Sequence, residues 1–131
     1  MAILISINVS LFTGKDGLDG DSKLIIVLHP IGDCTRAAER TFQGDDEIIP
    51  KQTIEFDLTL NTNTLTKAQM HNNYLMDVFL ISDGRHHYEG TMRCQFNFDD
   101  GSDEELVLED FKIGTYEEPN QSGKVVSFTV T

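Results

Sequence analysis

The sequence contains no tryptophan, only two cysteines and only three prolines among its 131 residues. No segment approaches the roughly 20 consecutive apolar residues of a membrane-spanning helix, and the apolar start of the chain lacks the basic residues of a secretory signal. We therefore expect a soluble chain that is cytoplasmic or is secreted by a non-classical route. Cys34 and Cys94 are far apart and form no zinc motif. They are expected to be free thiols, with one disulfide as the alternative.

Basic residues are scarce as well. The chain has 10 Lys and Arg against 22 Asp and Glu, which gives a net charge of −12. Nucleic-acid-binding proteins hold phosphates with clustered Lys and Arg, so direct nucleic-acid binding is not expected. The same charge disfavours direct docking on anionic lipids. The hydrophobic fraction of 39% is nevertheless large enough to form a packed core. We therefore expect one folded domain over residues 1–131.

Sequence motifs of catalysis are also missing. The chain has no Gly-x-Ser-x-Gly nucleophile elbow, no phosphate-binding glycine loop and no His-Glu-x-x-His zinc motif. His86 and His87 are adjacent, and adjacent residues of a strand point to opposite sides, so they are not expected to chelate one metal ion. These absences predict a protein that is not an enzyme. A small hydrolase or isomerase on a β-scaffold is the less favoured alternative.

The dominant pattern is an alternation of apolar and polar residues, which is typical of half-buried strands. Strands are predicted over 3–11, 23–29, 53–60, 74–82, 90–98, 106–114 and 125–130, with a short strand near 40–42 inside an irregular stretch. A short helix is predicted between 65 and 73, capped by Thr66. The residues expected to face the core are Ile3, Ile5, Ile7, Val9, Leu11, Ile54, Phe56, Leu58, Leu60, Met92, Cys94, Phe96 and Phe98. This pattern predicts an all-β fold, an antiparallel β-sandwich of seven to eight strands with little helix.

Two acidic segments interrupt the strands, and we name them the first acidic segment (14–22) and the second acidic segment (99–105). The first has three aspartates among glycines, and the second has five carboxylates in seven residues. Calcium prefers several oxygen ligands, and glycines let a loop curl around an ion. The candidate calcium ligands are Gly14, Asp16, Asp19, Asp21, Asp99, Asp100 and Asp103. The alternative is that both segments are solvated turns; if they meet at one end of the sandwich, they could share a cation.

Residues 13–28, a Thr-Gly turn followed by the first acidic segment, Ser22 and an apolar strand, resemble the opening of a PLAT (lipoxygenase homology) domain. The likeness covers roughly residues 3–28; Asp21 stands where that family has glycine, and the tryptophan of its late strand is missing. The resemblance implies an eight-stranded β-sandwich that recruits proteins to membranes, lipids or other proteins, in some members with calcium. C2 domains, which hold calcium in acidic loops at one end of a sandwich, follow the same logic.

These observations predict a non-enzymatic binding module that uses its acidic loops. Bound calcium would invert the local charge and allow contact with a lipid headgroup, a carbohydrate or a protein. Two alternatives stay open. One is a structural subunit that assembles into a homo-oligomer, and the other is an acidic inhibitor that mimics nucleic acid.

Overall fold

The computed structural model describes residues 2–15, 22–33, 35–44, 48–82, 87–114, 121–122 and 126–129. Within these ranges the chain forms ten strands and one short helix. The elements are β1 (Leu4–Thr13), β2 (Lys23–Pro30), β3 (Ala38–Gln43), β4 (Thr53–Asp57), β5 (Thr59–Leu60), α1 (Lys67–Met70), β6 (Tyr74–Ser82), β7 (His87–Phe98), β8 (Asp103–Gly114), β9 (Gln121–Ser122) and β10 (Val126–Thr129). No helix in these ranges is long and apolar enough to cross a bilayer.

The strands are arranged in two sheets. The four-stranded sheet has the order β4-β1-β7-β8, and the six-stranded sheet has the order β10-β6-β2-β3-β5, with β9 paired to β6 beyond the end of β10. Every strand pair is antiparallel. The predicted antiparallel β-sandwich is therefore confirmed, although the described residues form ten strand segments where seven to eight were expected.

The hydrophobic core lies between the two sheets and follows the alternation of the strands. The predicted core residues of β7 are all buried, as are the alternating apolar residues of β2 and β6 that face them across the sandwich; these are Met92, Cys94, Phe96, Phe98, Leu24, Ile26, Leu28, Met76, Val78 and Leu80. Each large apolar side chain that is fully buried contributes about 1.5–3 kcal/mol relative to exposure. This layer is therefore the main source of stability in the fold.

The first strand departs from the predicted alternation at Ile5. The pairing of β1 with β7 shifts register between Leu4 and Ser6, which is the signature of a β-bulge carrying one extra residue. The bulge reverses the inward parity at the start of the strand, so Leu4 is 2% exposed and Ile5 is 57% exposed. The prediction that Ile5 belongs to the core is wrong, and Ile3 is only half-buried. Beyond the bulge, Ile7, Val9 and Leu11 are buried as predicted.

The segment predicted as one strand over 53–60 changes sheet at Leu58. β4 ends at Asp57 and pairs with β1, whereas β5 begins at Thr59 and pairs with β3 in the other sheet. Leu58 is 4% exposed, and its N–H donates to the carbonyl of Ile7 at 3.1 Å. Strands that switch sheets make the corners of a sandwich, and here the buried leucine fills that corner.

Other boundaries differ from prediction because strand pairing overrides local composition. The short strand predicted near 40–42 is present as β3 and is longer than expected, β9 lies inside the loop predicted over 115–124, and β8 begins at Asp103. Charged residues on the solvent side of a paired strand cost little, so part of the second acidic segment is strand. The predicted cap of the helix is confirmed. The Thr66 hydroxyl accepts the N–H of Gln69 at 3.1 Å, and the Gln69 side chain accepts the N–H of Thr66 at 2.9 Å.

Tyr88 is a buried polar link between β7 and the end of β1. Its hydroxyl is hydrogen-bonded to Thr13 Oγ1 at 3.0 Å, and burial raises the pKa of Tyr88 to about 12. Gly90 makes room for this contact, because a Cβ at that position would lie 2.6 Å from the carbonyl oxygen of Phe12 and 2.9 Å from the Tyr88 hydroxyl. Position 90 therefore requires glycine for close backbone approach.

Candidate functional site

The two acidic segments start from opposite ends of β1. Gly14 follows the last residue of β1, and its N–H donates to the carbonyl of Glu89. Asp99 lies beside the first residues of β1, where its N–H donates to the carbonyl of Ile3. The ten residues of β1 span about 30 Å at 3.3 Å per residue. The strand pairing therefore does not bring Gly14 and Asp99 together, and the candidate ligands Asp16, Asp19 and Asp21 lie outside the described residues.

Asp99 and Asp100 stabilise the turn between β7 and β8. Asp99 Oδ1 accepts the N–H of Ile3 at 2.9 Å. Asp100 Oδ1 accepts the hydroxyl of Ser102 at 2.5 Å and the N–H of Ser102 at 2.9 Å. Both hydrogen bonds lower the pKa of Asp100 below its ordinary value, and the bond from the Ser102 hydroxyl has the larger effect. Both carboxylates therefore have structural partners within the protein.

Glu104 is paired with two basic side chains on and beside the helix α1. Its Oε2 lies 2.7 Å from His71 Nε2, and its Oε1 lies 3.7 Å from Lys67 Nζ. The Lys67 ammonium also donates to the Ser102 hydroxyl at 3.3 Å and lies 5.1 Å from the centroid of the Phe98 ring. The carboxylate therefore has partners within the protein, and the Lys67 ammonium offsets part of its charge. In the described parts of the chain, no group of three His, Cys, Asp or Glu side chains is placed to hold a metal ion.

Asp103 and Glu105 belong to a different surface, the outer side of the four-stranded sheet, which we call the polar face. Four residues of this face are paired in register from one edge strand to the other: Asp57, Asn8, Gln95 and Glu105. They form a row of carboxylate, amide, amide and carboxylate, about 14 Å long at 4.8 Å between strands. A second row beside it contains Glu55, Ser10, Arg93 and Val107.

Hydrogen bonds within the polar face engage its amide donors. Asn8 Nδ2 donates to Asp57 Oδ1 at 2.6 Å, and Asn97 Nδ2 donates to Asn8 Oδ1 at 2.7 Å. Gln95 Nε2 donates to Asp103 Oδ2 at 3.2 Å. A carboxylate can accept several hydrogen bonds, and these use only some of the lone pairs. The face is therefore ordered by its own contacts and presents a surplus of acceptors to solvent.

The polar face carries a net negative charge. In and beside the two rows, the carboxylates are those of Glu55, Asp57, Asp103 and Glu105, and the guanidinium of Arg93 stands among them. Arg93 Nη1 lies 3.9 Å from Glu105 Oε1, and both side chains are more than half exposed, so this pair contributes at most about 1 kcal/mol. Residues of both rows line an open groove of about 560 Å³. Sequence reasoning missed this surface because its residues come from four separate strands, and only the polar parity of those strands hinted at it.

His29 and Asp77 form a half-buried pair on the outer side of the six-stranded sheet. His29 Nε2 lies 2.5 Å from Asp77 Oδ2, and His29 Nδ1 lies 2.8 Å from the Pro30 carbonyl and 2.9 Å from the Asp33 carbonyl. Burial lowers the pKa of His29, but the hydrogen bonds to Asp77, Pro30 and Asp33 and the charge of Asp77 raise it overall above 6.5. One signal in the sequence pointed to this pair. Asp77 is the only charged residue of the largely apolar strand β6, and a buried charge requires a partner.

Cys94 is a free thiol in the core. Burial raises its pKa to about 12, which makes the thiolate scarce and the residue unreactive while the chain is folded. The disulfide that the sequence left open is therefore not formed by Cys94, and Cys34 lies outside the described residues. Of the two cysteines, Cys94 is thus the one whose surroundings the structure describes. His86 also lies outside the described residues.

Comparison with known proteins gives no relative from which a function could be transferred. No protein-family model, no curated protein and no solved structure matches this chain. The resemblance of residues 13–28 to PLAT domains therefore stays a prediction, and the polar face and the groups around it are the features that bear on function.

Proposed function

We propose that this chain is a non-enzymatic binding module whose polar face engages a positively charged, donor-rich surface of a partner protein. The observation that carries the proposal is the in-register row of Asp57, Asn8, Gln95 and Glu105. A partner that supplies Lys, Arg and N–H donors would complement the surplus of acceptors on this face. Because the net charge of −12 has the same sign as the face, the whole protein would steer such a partner towards it.

The shape of the face supports a macromolecular partner. Small-molecule sites are usually enclosed and mostly apolar, whereas the groove over the two rows is open and lined largely by polar side chains. The amide and carboxylate contacts between Asn8, Asp57 and Asn97 hold the side chains before binding. Pre-ordered side chains lower the entropy cost of association, which favours a flat polar surface as a docking area.

Three potentially catalytic groups of the described residues, Ser102, Lys67 and His29, are engaged in structural contacts. The Ser102 hydroxyl donates to Asp100, and Lys67 pairs with Glu104, so neither is arranged as a nucleophile with a neutral base. Both ring nitrogens of His29 are within hydrogen-bonding distance of acceptors in the protein, so the ring is already engaged and does not present a free nitrogen to a substrate. These contacts support a binding role over an enzymatic one.

Calcium stays a separate prediction. Its candidate ligands Asp16, Asp19 and Asp21 lie outside the described residues, while Asp99 and Asp100 are already hydrogen-bonded within their turn. If calcium binds, we expect it at the first acidic segment. The affinity measured by calorimetry would then be unchanged in a variant with Asp99→Asn and Asp100→Asn.

A titration followed by NMR tests the proposed surface. Decalysine should shift the amide resonances of the polar face, with the largest changes near Asn8, Gln95 and Glu105, and 0.5 M NaCl should remove the effect because exposed charge pairs are screened. The double variant with Asp57→Asn and Glu105→Gln should bind more weakly. Glu39→Gln, on the six-stranded sheet, is the matched control and should bind like the wild type.

Other outcomes of the same titration would overturn the proposal. Changes at the polar face caused by a neutral oligosaccharide, and none by decalysine, would replace the protein partner with a carbohydrate. Binding to vesicles of anionic lipid only when calcium is present would return the function to the acidic loops. Resonances that respond to protein concentration alone would favour the homo-oligomeric subunit.

A further inference from the structure

The open edges of the two sheets differ greatly in length. Among the described strands, the six-stranded sheet ends in β5 on one side and in β9 and β10 on the other, and these have two, two and four residues. The four-stranded sheet ends in β4, with five residues, and in β8, with twelve. Short edge strands prevent unwanted strand pairing. Of these edge strands, β8 offers the longest stretch of backbone with which a further strand could pair.

The middle of β8 carries apolar side chains between charged residues on either side. Leu106 and Leu108 are half-buried residues packed against the core, and Val107 between them is 36% exposed on the polar face. No proline interrupts the strand, and the register shift opposite Gly90 falls beyond Leu108. The stretch from Asp103 to Leu108 therefore offers six residues of regular edge with apolar side chains at its centre.

Resting on the proposed function, we infer that β8 receives an extended segment of the partner as an additional strand, in which basic and apolar residues alternate. Side chains of neighbouring strands meet in pairs about 4.5–5.5 Å apart at Cβ. On the polar face, basic residues of the segment would lie opposite Asp103 and Glu105. On the other side, its apolar residues would cover Leu106 and Leu108. Every second residue of β8 would supply backbone N–H and carbonyl groups on the side where no other described strand pairs with it.

The charges along β8 argue against a second copy of this chain as the occupant. An antiparallel pairing of two β8 strands centred on Val107 would place Glu105 opposite Glu109 twice. Like charges directly opposite each other in a sheet are destabilising, and both glutamates are exposed. In this register the charge pattern opposes self-pairing of β8, whereas a cationic segment would be favoured.

A synthetic hexapeptide of alternating lysine and valine is the probe. Strand addition predicts saturable binding, slower hydrogen exchange of β8 amides, and loss of binding when the residues are reordered as three lysines followed by three valines. Two N-methylated forms test the backbone contacts, because an extended peptide presents its N–H groups alternately to its two edges. Methylation of one alternating set should weaken binding at least tenfold, while methylation of the other set should change it less than twofold.

Variants of the protein test the charge contacts without disturbing the core. Glu105→Gln should weaken hexapeptide binding about two- to fivefold, as expected for one exposed ion pair, and Glu39→Gln should leave it unchanged. Equal affinity of both N-methylated forms would overturn strand addition, as would equal affinity of the reordered peptide. If decalysine still shifts the polar face in that case, the proposed function stands and only the mode of docking is wrong. If neither probe binds, both proposals fail.

Discussion

The contacts of His29 make stability depend on pH in a direction that can be stated in advance. Both ring nitrogens face acceptors, the carboxylate of Asp77 on one side and the carbonyls of Pro30 and Asp33 on the other. An imidazolium satisfies both sides, because it carries two N–H donors, whereas the neutral ring carries only one. Loss of the proton must therefore leave one side without its donor.

The sign follows from the direction of the pKa shift. The pKa of His29 in the folded protein is raised above 6.5, and its value in the unfolded chain is close to 6.5. The stabilisation is then fully present below about pH 6.5 and is lost as the pH rises through the folded value. Since the side chains of His29 and Asp77 are 16% and 9% exposed, solvent screens the contact little. A hydrogen bond to a charged group contributes about 1.5–3 kcal/mol.

His29→Gln isolates this contribution, since glutamine keeps a donor at the position and does not titrate. Urea unfolding between pH 5 and pH 9, followed by far-UV circular dichroism because the chain has no tryptophan, gives the free energy of unfolding for both proteins. We expect the advantage of the wild type to fall by about 1.5–3 kcal/mol across this range. Other titrating groups are common to both proteins and cancel in the difference.

Two results would refute the reasoning about His29. A difference that is constant from pH 5 to pH 9 would mean that the pKa of His29 is the same in the folded and unfolded states. A difference that grows with pH would mean that the folded protein favours the neutral ring, and the burial of the imidazole would then outweigh its hydrogen bonds.

Three further predictions concern stability and reactivity. Leu4→Ala should cost about 2–5 kcal/mol of unfolding free energy, whereas Ile5→Ala should change it by at most about 0.5 kcal/mol; the reverse order in urea denaturation would contradict the bulge. Tyr88→Phe should cost about 1 kcal/mol, and a thermal melt unchanged from the wild type would show that its hydroxyl contact contributes nothing. In a Cys34→Ser variant, Cys94 should resist a disulfide reagent until urea unfolds the chain, and rapid labelling at neutral pH would contradict its burial.

The strands could be predicted from sequence wherever side-chain alternation coincides with pairing. The alternation in β7 identified its core residues correctly because that strand is paired on both sides. It failed at Ile5, where the bulge inserts one residue. The single strand predicted over 53–60 is also broken at Leu58, where the chain passes to the other sheet, although Leu58 is buried as predicted. Both failures depend on the partner strand and not on the local residues, so no local pattern could reveal them.

The candidate site was harder to predict, because residue type alone does not indicate which neighbour satisfies a carboxylate. The second acidic segment has the composition of a cation site, yet Glu104 lies beside His71 and Lys67, which are more than 30 positions away in sequence. The polar face shows the reverse problem, because the composition of no single segment points to it. Its row from Asp57 to Glu105 exists only because four strands align in register, and register depends on tertiary structure.

The sheet change at Leu58 has a mechanical consequence for one long side of the sandwich. There a covalent run joins the two sheets, and the rings of Phe42 and Phe56, one from each sheet, lie 4.7 Å apart beneath the guanidinium of Arg40. The sheets therefore cannot separate along this side without breaking the aromatic contact and drawing the buried Leu58 out of the core.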